Sequence, residues 1–450
     1  MIASDTIAAI ATARGQAALA IVRLSGPEAL EIATQCFRGR DLTGVATHTA
    51  HVGYWQTPGG PRIDQVVCTV FRAPRSATGE DVVEVTCHGG EYVAARVLAS
   101  VIQRGARLAA PGEFTRRAFL GGKMDLAQAE AVADLIQASS ARAHQTSVAA
   151  LEGHYSKVLE GLRQSLLEVC ALAELEIDFT DEDVTFADRS VLEGLVTRGL
   201  AQVTELLNSC KLGDFVREGI RVVIAGRPNA GKSTLLNSLS GRDRAIVSST
   251  PGTTRDTLEA DAEFDGLRFR FIDTAGLRES NDQIEREGVQ RAKNLLSRAD
   301  VVIYVFDLTV GLRETEREMM KAWQQVPVIV VGNKLDLLDR KPVLPDIMVL
   351  SAKNGPDAVK PLMEALIKAS TGHWSDLDVS RIVMNARHQG HLAIARQTLL
   401  GAQAALAAGR PTDLFTLDLR AAVRELGMIT GTITNEEILS TIFSRFCIGK

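Results

Sequence analysis

Apolar residues follow three different patterns along the chain. Over residues 1–118, short apolar runs alternate with turns. Segments 19–26, 65–71 and 81–87 have the character of strands, and 91–104 has the spacing of a helix. We therefore expect a mixed α/β unit here.

The pattern changes after residue 118. From 119 to 216, apolar residues recur every three or four positions and proline is absent, which predicts long helices. Residues 217–375 then alternate short apolar runs with helical segments, as in a mainly parallel sheet, and 376–450 return to helical spacing. We predict that the two helical stretches pack together as one domain, into which the α/β unit is inserted.

The predicted fold class is thus multidomain α/β plus α-helical. The predicted domain limits are 1–118, 119–216, 217–375 and 376–450, where the second and fourth segments form the helical domain.

Composition narrows the class of protein. The chain has 450 residues and a net charge of −5, so any nucleic-acid contact must be a local patch. No apolar run reaches the ~18 residues of a membrane span. The six cysteines form no C-x-x-C pair, which argues against a disulfide framework or a zinc site. With no basic leader at the N-terminus, we expect a cytoplasmic protein and no membrane partner.

The segment GRPNAGKS, residues 226–233, follows a predicted strand and precedes a predicted helix. It is a G-x-x-x-x-G-K-S phosphate loop in its required setting. Gly226 and Gly231 let the backbone turn its N–H groups toward phosphate oxygens. Lys232 is expected to reach the β- and γ-phosphates, and Ser233 to bind Mg²⁺. The GTP-binding residues predicted here are Asn229, Ala230, Gly231, Lys232, Ser233 and Thr234.

Two further segments fit a nucleotide site. Asp273 closes the next predicted strand and can hold Mg²⁺ through water, and the loop after it is predicted to sense the γ-phosphate. The segment NKLD ends at Asp336, whose carboxylate can accept from both guanine N–H groups, and an unpaired edge can discriminate by ~10⁴-fold, favouring GTP over ATP. The residues predicted for these segments are Asp273, Thr274, Ala275, Gly276, Asn333, Lys334 and Asp336, with Ser351, Ala352 and Lys353 behind the base.

A hydroxyl-rich loop lies between the phosphate loop and Asp273. One of its threonines, Thr254, is predicted to complete Mg²⁺ coordination; the alternative is an ordinary Ser/Thr turn. Ras-type GTPases orient the attacking water with a Gln after D-x-x-G, but Leu277 stands there and cannot hydrogen-bond. Another residue must orient that water. The predicted GTP-binding residues of this loop are Ser248, Ser249, Thr250, Pro251, Gly252, Thr253 and Thr254.

The motifs and their order resemble the tRNA modification GTPase MnmE (TrmE) family over nearly the whole chain. The resemblance rests on DTIAAIAT (5–12), on IVRLSG (21–26), on the block at 111–136, on TPGTTRD and DTAGLR, and on the terminal FCIGK. The G-domain motifs alone indicate only a GTPase, whereas the 111–136 block and the tail are far more specific.

The resemblance implies a homodimer whose G domains associate when K⁺ is bound, which stimulates hydrolysis. A monovalent cation beside the phosphates can replace the charge of an arginine finger. Glu285 matches the family's general-base or water-orienting glutamate; the alternative is a solvated helix face. The residues that match the K⁺ site are Asn229, Ser248, Thr250 and Thr253.

The resemblance also implies a tetrahydrofolate site in a dimerising N-terminal domain. The matching residues are Arg23, Glu84, Lys123 and Lys450, and the ligand would be a 5-formyl or 5,10-methylene derivative. Glu84 could accept from the N–H and amino groups of a pterin edge. The alternative is that all four are ordinary surface charges.

Cys447 has three readings. It could be a buried structural cysteine, since a free cysteine behaves as a small hydrophobe. A prenylation site fits poorly, because Gly449 is not aliphatic and Lys450 is an unusual last residue. The resemblance places Cys447 at the one-carbon site, as a catalytic residue.

We therefore predict a GTPase that works with the flavoprotein MnmG (GidA) in a heterotetramer. The resemblance implies that the pair adds an aminomethyl or carboxymethylaminomethyl group to C5 of the wobble uridine of certain tRNAs. The G domain would supply conformational control. The alternative is a regulatory GTPase switch, such as a ribosome-assembly factor, without modification chemistry.

Overall fold

The computed structural model describes residues 5–57, 59–178, 189–241, 258–273, 299–323, 326–372, 382, 385–434, 436–444 and 446–449. The chain forms two compact units. Unit 1 comprises the described parts of 1–133, 150–196 and 397–450, and unit 2 comprises those of 134–149 and 197–396.

The described residues contain thirteen strands and thirteen α-helices. The strands are β1 (Ile7–Ile10), β2 (Leu19–Ser25), β3 (Phe37–Arg38), β4 (Thr49–Gln56), β5 (Arg62–Phe71), β6 (Val82–His88), β7 (Arg107–Leu108), β8 (Ile220–Gly226), β9 (Leu258–Phe264), β10 (Leu267–Asp273), β11 (Val301–Asp307), β12 (Val328–Asn333) and β13 (Ile347–Val349). The helices are α1 (Ala29–Cys36), α2 (Glu91–Ile102), α3 (Glu113–Leu120), α4 (Leu126–Gln137), α5 (Ala141–Leu151), α6 (His154–Asp178), α7 (Arg189–Glu218), α8 (Lys232–Ser240), α9 (Glu314–Lys321), α10 (Lys360–Thr371), α11 (Ala386–Ala407), α12 (Thr412–Thr430) and α13 (Glu436–Phe443).

Unit 1 begins with a seven-stranded sheet in the order β3-β4-β5-β6-β2-β1-β7. Its neighbouring strands are antiparallel except β1 and β7. Alternate residues of β2 and β6, such as Val22 and Val85, are fully buried in a core shared with α1 and α2. The residues between them, including Arg23 and Glu84, lie on the opposite face and are only half-buried, since side chains alternate across a strand. This alternation leaves polar groups on the outer face of the sheet.

The helices of unit 1 come from both sides of the G-domain segment in the sequence. α6 and α12 pack against each other, and Arg420 of α12 donates to Glu174 of α6 at 2.6 Å. A second cluster joins Leu126 of α4 to Phe443 of α13 and to Phe446. These contacts confirm the predicted fold class, in which helices from two chain segments meet around an inserted α/β unit.

The sheet of unit 2 has the order β13-β12-β11-β8-β10-β9. All its pairs are parallel except β9 with β10, which are joined through a turn at Asp265 and Gly266. Both turn residues have left-handed φ, as a two-residue Asp-Gly hairpin requires. The buried apolar residues of β8 and β11 form the centre of the core. The mainly parallel sheet predicted for this segment is confirmed.

Candidate nucleotide and folate sites

The phosphate loop joins the end of β8 to the start of α8. Gly226 has φ 147°, and an added Cβ would lie 2.0 Å from the carbonyl oxygen of Val305 in β11. Gly231, the N-cap of α8, has φ 91°, and a Cβ there would meet the side-chain nitrogen of Asn333 at 2.3 Å. Only glycine fits these close approaches. The loop and the helix N-terminus therefore form a concave backbone surface suited to an anion.

Lys232 and Ser233 begin α8 beside the loop. The Lys232 side chain is buried, and its Nζ donates to the carbonyl oxygens of Gly226 (3.0 Å) and Arg227 (2.8 Å). The Ser233 hydroxyl donates to Asp273 Oδ2 at 3.3 Å, where β10 ends. A hydroxyl and a carboxylate side by side are the hard oxygen donors that suit Mg²⁺. The residues predicted for this ion thus lie together.

The remaining loop residues differ in exposure. Ala230 is buried, whereas Thr234 and Asn229 are exposed. Asn229 has a left-handed φ of 62°. Its side chain lies on the outer surface of the loop.

Asn333 connects the phosphate loop to the segment predicted to lie behind the base. It is buried, donates to the carbonyl oxygen of Ala230 at 3.0 Å and accepts from the backbone N–H of Ala352 at 2.9 Å. Ser351 donates to Asp336 Oδ1 at 2.5 Å, which orients a carboxylate that remains exposed. Lys353 is also exposed. The two predicted segments therefore adjoin the phosphate loop.

Lys334 of the NKLD segment pairs with Asp307 at the end of β11, with Nζ 2.7 Å from Oδ2. Burial of Asp307 raises the pKa of its carboxyl, but hydrogen bonds from Lys334 and Thr309 outweigh this, and the pKa lies below its ordinary value. The carboxylate is therefore charged at neutral pH and holds Lys334 in place.

Several predicted site residues lie outside the described part of the chain. They are Ser248, Ser249, Thr250, Pro251, Gly252, Thr253, Thr254, Thr274, Ala275, Gly276, Glu285 and Lys450. Among the described residues, no group of three or more His, Cys, Asp and Glu could hold a metal ion.

The predicted folate residues Arg23 and Glu84 form an ion pair across β2 and β6. Arg23 Nε and Nη2 approach Glu84 Oε1 at 2.8 and 2.7 Å, and the two residues are direct register partners. The Arg23 guanidinium also lies 5.7 Å from the ring centre of Phe114 in α3. Lys123 follows α3, and its side chain lies against Gly79. The structure thus places a charged pair beside an aromatic ring on the outer face of the sheet.

The C-terminal tail lies against the first strand of unit 1. Gly449, with φ 97°, is so close to Ile10 that a Cβ would lie 2.3 Å from the Ile10 carbonyl oxygen. Ile10 follows Ala9, the register partner of Arg23. Cys447 is exposed, so the reading as a buried structural cysteine is wrong. The tail therefore ends close to the strand pair that carries Arg23.

A buried ion network beside this region escaped the sequence reasoning. The Arg117 side chain, 4% exposed, contacts carboxylates of Asp5 (2.8 Å), Glu80 (3.1 Å) and Glu113 (3.1 Å). Burial raises the pKa of Glu113, but hydrogen bonds from Arg107, the Ala110 N–H and Arg117 outweigh it and lower the pKa. The i,i+4 spacing of Glu113 and Arg117 is a signal that could have pointed to one of these pairs.

A second missed group supports the phosphate loop. Glu316 of α9 accepts hydrogen bonds from Arg227 of the loop and from the Tyr304 hydroxyl. Glu316 also accepts from the backbone N–H of Arg313 at 2.8 Å, three residues earlier, the spacing of a capping box. That spacing predicts a helix start but not a partner in the loop.

These features define a class of protein before any comparison. A phosphate loop at the end of a central strand and an N-K-x-D segment at the end of a neighbouring strand, on a mainly parallel sheet, are those of a P-loop GTPase. A family model described as MnmE helical domain matches residues 126–447, and another, described as GTP-binding protein TrmE N-terminus, matches 6–123. The chain belongs to the MnmE family of tRNA modification GTPases, and its predicted family and enzyme class are confirmed.

The curated relatives extend over the whole chain. The tRNA modification GTPase MnmE of Salinibacter ruber is 55% identical over 461 residues, covering 99% of each chain. That of Cytophaga hutchinsonii is 41% identical over 459 residues, covering 99% of this chain and 98% of the relative. A crystal structure of Era from Aquifex aeolicus bound to GDP·AlF4⁻ covers 40% of this chain and 66% of its own at 27% identity, but its TM-score of 0.27 supports no argument.

No helix within the described ranges has both the length and the apolar character needed to cross a membrane.

Proposed function

We propose that this protein is a potassium-stimulated, Mg²⁺-dependent GTPase that modifies tRNA together with the flavoprotein MnmG (GidA). The pair adds an aminomethyl or carboxymethylaminomethyl group to C5 of the wobble uridine, with a tetrahydrofolate derivative as the one-carbon source. The protein acts as a cytoplasmic homodimer within a heterotetramer. Full-length similarity to relatives named tRNA modification GTPase MnmE supports this proposal.

One structural observation carries the folate part of the proposal. The Arg23–Glu84 pair, Phe114 and the tail that bears Cys447 all lie in unit 1, around the outer face of β1, β2 and β6. A GTPase switch has no need of such a group. Both Arg23 contacts fall on Glu84 Oε1, and a carboxylate offers about four lone-pair sites, so it can accept from a pterin edge as well.

The G domain is proposed to control the folate site by changing conformation, because GTP hydrolysis supplies no carbon unit. Ser233 and Asp273 would hold Mg²⁺ together with the phosphates, and Thr254 would join when the γ-phosphate is present. Asn229 would contribute to the K⁺ site. Glu285 would orient the attacking water. Residues 1–118 are proposed to form the dimerising folate domain.

The decisive experiment is mass spectrometry of wobble nucleosides from cells that lack this gene. We expect the modified uridine to disappear and to return with the wild-type gene. The C447S variant should keep GTP hydrolysis and fail to restore the nucleoside. If deletion leaves the wobble nucleosides unchanged, the chain is a regulatory switch.

Folate binding is tested separately by calorimetry with 5-formyltetrahydrofolate and the full chain. Glu84→Gln removes one negative charge at nearly constant volume and should weaken binding about tenfold or more, since hydrogen bonds to charged groups contribute ~1.5–3 kcal/mol each. Glu91→Gln, an exposed residue at the start of α2, is the matched control. Equal affinity of both variants would remove Glu84 from the site.

The potassium and glutamate assignments are tested by turnover. Replacing K⁺ by Na⁺ should slow GTP hydrolysis without changing GDP affinity, and indifference to the ion would remove the role of Asn229. Glu285→Ala should slow hydrolysis and leave GTP binding intact. Equal loss of both would show that Glu285 does not orient the water.

A further inference from the structure

Arg227 is the second residue of the phosphate loop, directly after Gly226. Its carbonyl oxygen accepts from Lys232 Nζ at 2.8 Å, so its backbone belongs to the surface that faces the phosphates. Its side chain leaves the loop: one guanidinium nitrogen donates to the carbonyl oxygen of Gly311, in the segment between β11 and α9. The guanidinium is thus held away from the phosphate position and is not placed as an arginine finger.

The rest of that guanidinium is paired with Glu316. Arg227 Nε lies 2.7 Å from Glu316 Oε1, and Nη2 lies 3.2 Å from Oε2. The two nitrogens meet the two oxygens in the bidentate geometry that fixes both direction and distance. Because the Glu316 side chain is only 9% exposed, solvent screens this pair less than a surface pair.

Glu316 is itself fixed from two further directions. The Tyr304 hydroxyl, on β11, donates to Oε1 at 2.6 Å, and the Arg313 N–H at the start of α9 donates to Oε2 at 2.8 Å. Burial raises the pKa of Glu316, but these hydrogen bonds and the nearby Arg227 charge outweigh it and leave the pKa below its ordinary value. A charged carboxylate is therefore held rigidly by a strand and a helix of the G domain.

We propose that Glu316 is a positioning residue for guanine-nucleotide binding and acts through Arg227 of the phosphate loop. The residue ties the loop to β11 and α9, so that the carbonyl and N–H groups after Gly226 keep the curvature that receives phosphate. Glu316 has no direct contact with the nucleotide in this role. Its effect falls on affinity, because the residues proposed for hydrolysis lie elsewhere.

The test is a double-mutant cycle on the full chain, with GDP as the probe and isothermal calorimetry as the readout. Glu316→Gln keeps the side-chain volume but loses the charge opposite Arg227. We expect the Kd for GDP to rise about tenfold, below the ~100-fold that a 1 Å misplacement can cost. KM for GTP should rise in parallel, and kcat at saturating GTP should stay within about twofold.

Arg227→Met should raise the Kd similarly, and adding Glu316→Gln to it should produce no further rise, because coupled residues are not additive. Glu314→Gln, on the same helix, removes an exposed partner of Arg317 at 3.8 Å and is the control expected to bind GDP normally. A fall in melting temperature at unchanged Kd, or additive effects of the two substitutions, would overturn the proposal.

If Glu316→Gln does not fold, Glu316→Asp replaces it. This variant keeps the charge and shortens the side chain by one methylene, so the expected rise in Kd is smaller, about threefold. An unchanged Kd for this variant would likewise overturn the proposal.

Discussion

Gly226 offers the sharpest test of the phosphate loop, because its substitution by alanine has a consequence that can be worked out from coordinates. Gly226 is the register partner of Val305 in the parallel pair β8–β11. The added Cβ would lie 2.0 Å from the Val305 carbonyl oxygen, whereas ordinary contact begins at 3.4 Å. The two backbones must therefore separate by at least 1.4 Å, the difference between these distances.

Two costs add up in Gly226→Ala. Holding alanine at φ 147° costs about 1–3 kcal/mol, as for other residues in sparsely populated backbone regions. Forcing the strands apart costs about 1–3 kcal/mol more, as overpacking of a filled interior does. The sum of ~2–6 kcal/mol is a large part of the ~5–15 kcal/mol that stabilises a typical domain.

The control is Gly372→Ala. Gly372 follows α10 and also has a positive φ, 61°, but an added Cβ meets nothing within 4 Å. Only the backbone cost applies there, so the difference between the two variants isolates the contact with Val305.

The assay combines thermal unfolding with GDP titration. GDP at 100 times its Kd should stabilise the wild type and Gly372→Ala by ~2.7 kcal/mol through linkage. Gly226→Ala should melt at a lower temperature and lose most of this shift, because a displacement above 1 Å can cost ~100-fold in a binding site. If Gly226→Ala matches Gly372→Ala in melting temperature and in GDP affinity, the close approach to β11 does not shape the loop.

Three further predictions follow from described contacts. Lys232→Ala should weaken GTP binding about 100-fold or more in a fluorescent-nucleotide titration, because a charged donor is lost; unchanged affinity would refute the loop assignment. Iodoacetamide at pH 8 should label Cys447 alone in the native chain, checked by peptide mass spectrometry. Burial raises the pKa of Cys87, Cys170 and Cys210 to about 11, which leaves a thiolate fraction of ~10⁻³; labelling of these thiols at the same rate would contradict their burial. The pKa of Glu113 is depressed in the folded chain, so its stabilising contribution is present above the ordinary value of 4.5 and is lost as pH falls through the folded pKa. Glu113→Gln should therefore lower the melting temperature at pH 7 and narrow the gap to wild type near pH 3, and a gap that does not change with pH would show that the carboxylate is not paired.

The strands with strong apolar runs could be predicted from the sequence, and the weaker ones could not. Segments 65–71 and 81–87 lie within or almost match β5 and β6, whose alternate residues are buried. β4 and β9 were missed: β9 is an acidic edge strand, and the sequence there carries little apolar signal. Their partners supply the hydrogen bonds that the local pattern does not reveal.

The candidate sites divide in the same way. The phosphate loop is contiguous, and its glycines, Lys232 and Ser233 could be predicted from their spacing alone. Glu316 lies 89 positions from Arg227, and Glu84 lies 61 positions from Arg23. Such pairs depend on strand register and helix placement, which a single sequence does not encode in its local pattern. The approach of Gly449 to Ile10 has no local signal either.

The contact between α6 and α12 affects how the chain is made. Glu174 and Arg420 are separated by 246 residues. At about 5–20 residues per second, a ribosome takes roughly 12–50 s between them. Over that interval the earlier helix must wait with its apolar side uncovered while the whole nucleotide-binding segment is synthesised. A chain that stops after residue 371 would keep that side uncovered, so protein quality control has a direct means of telling a finished molecule from an unfinished one.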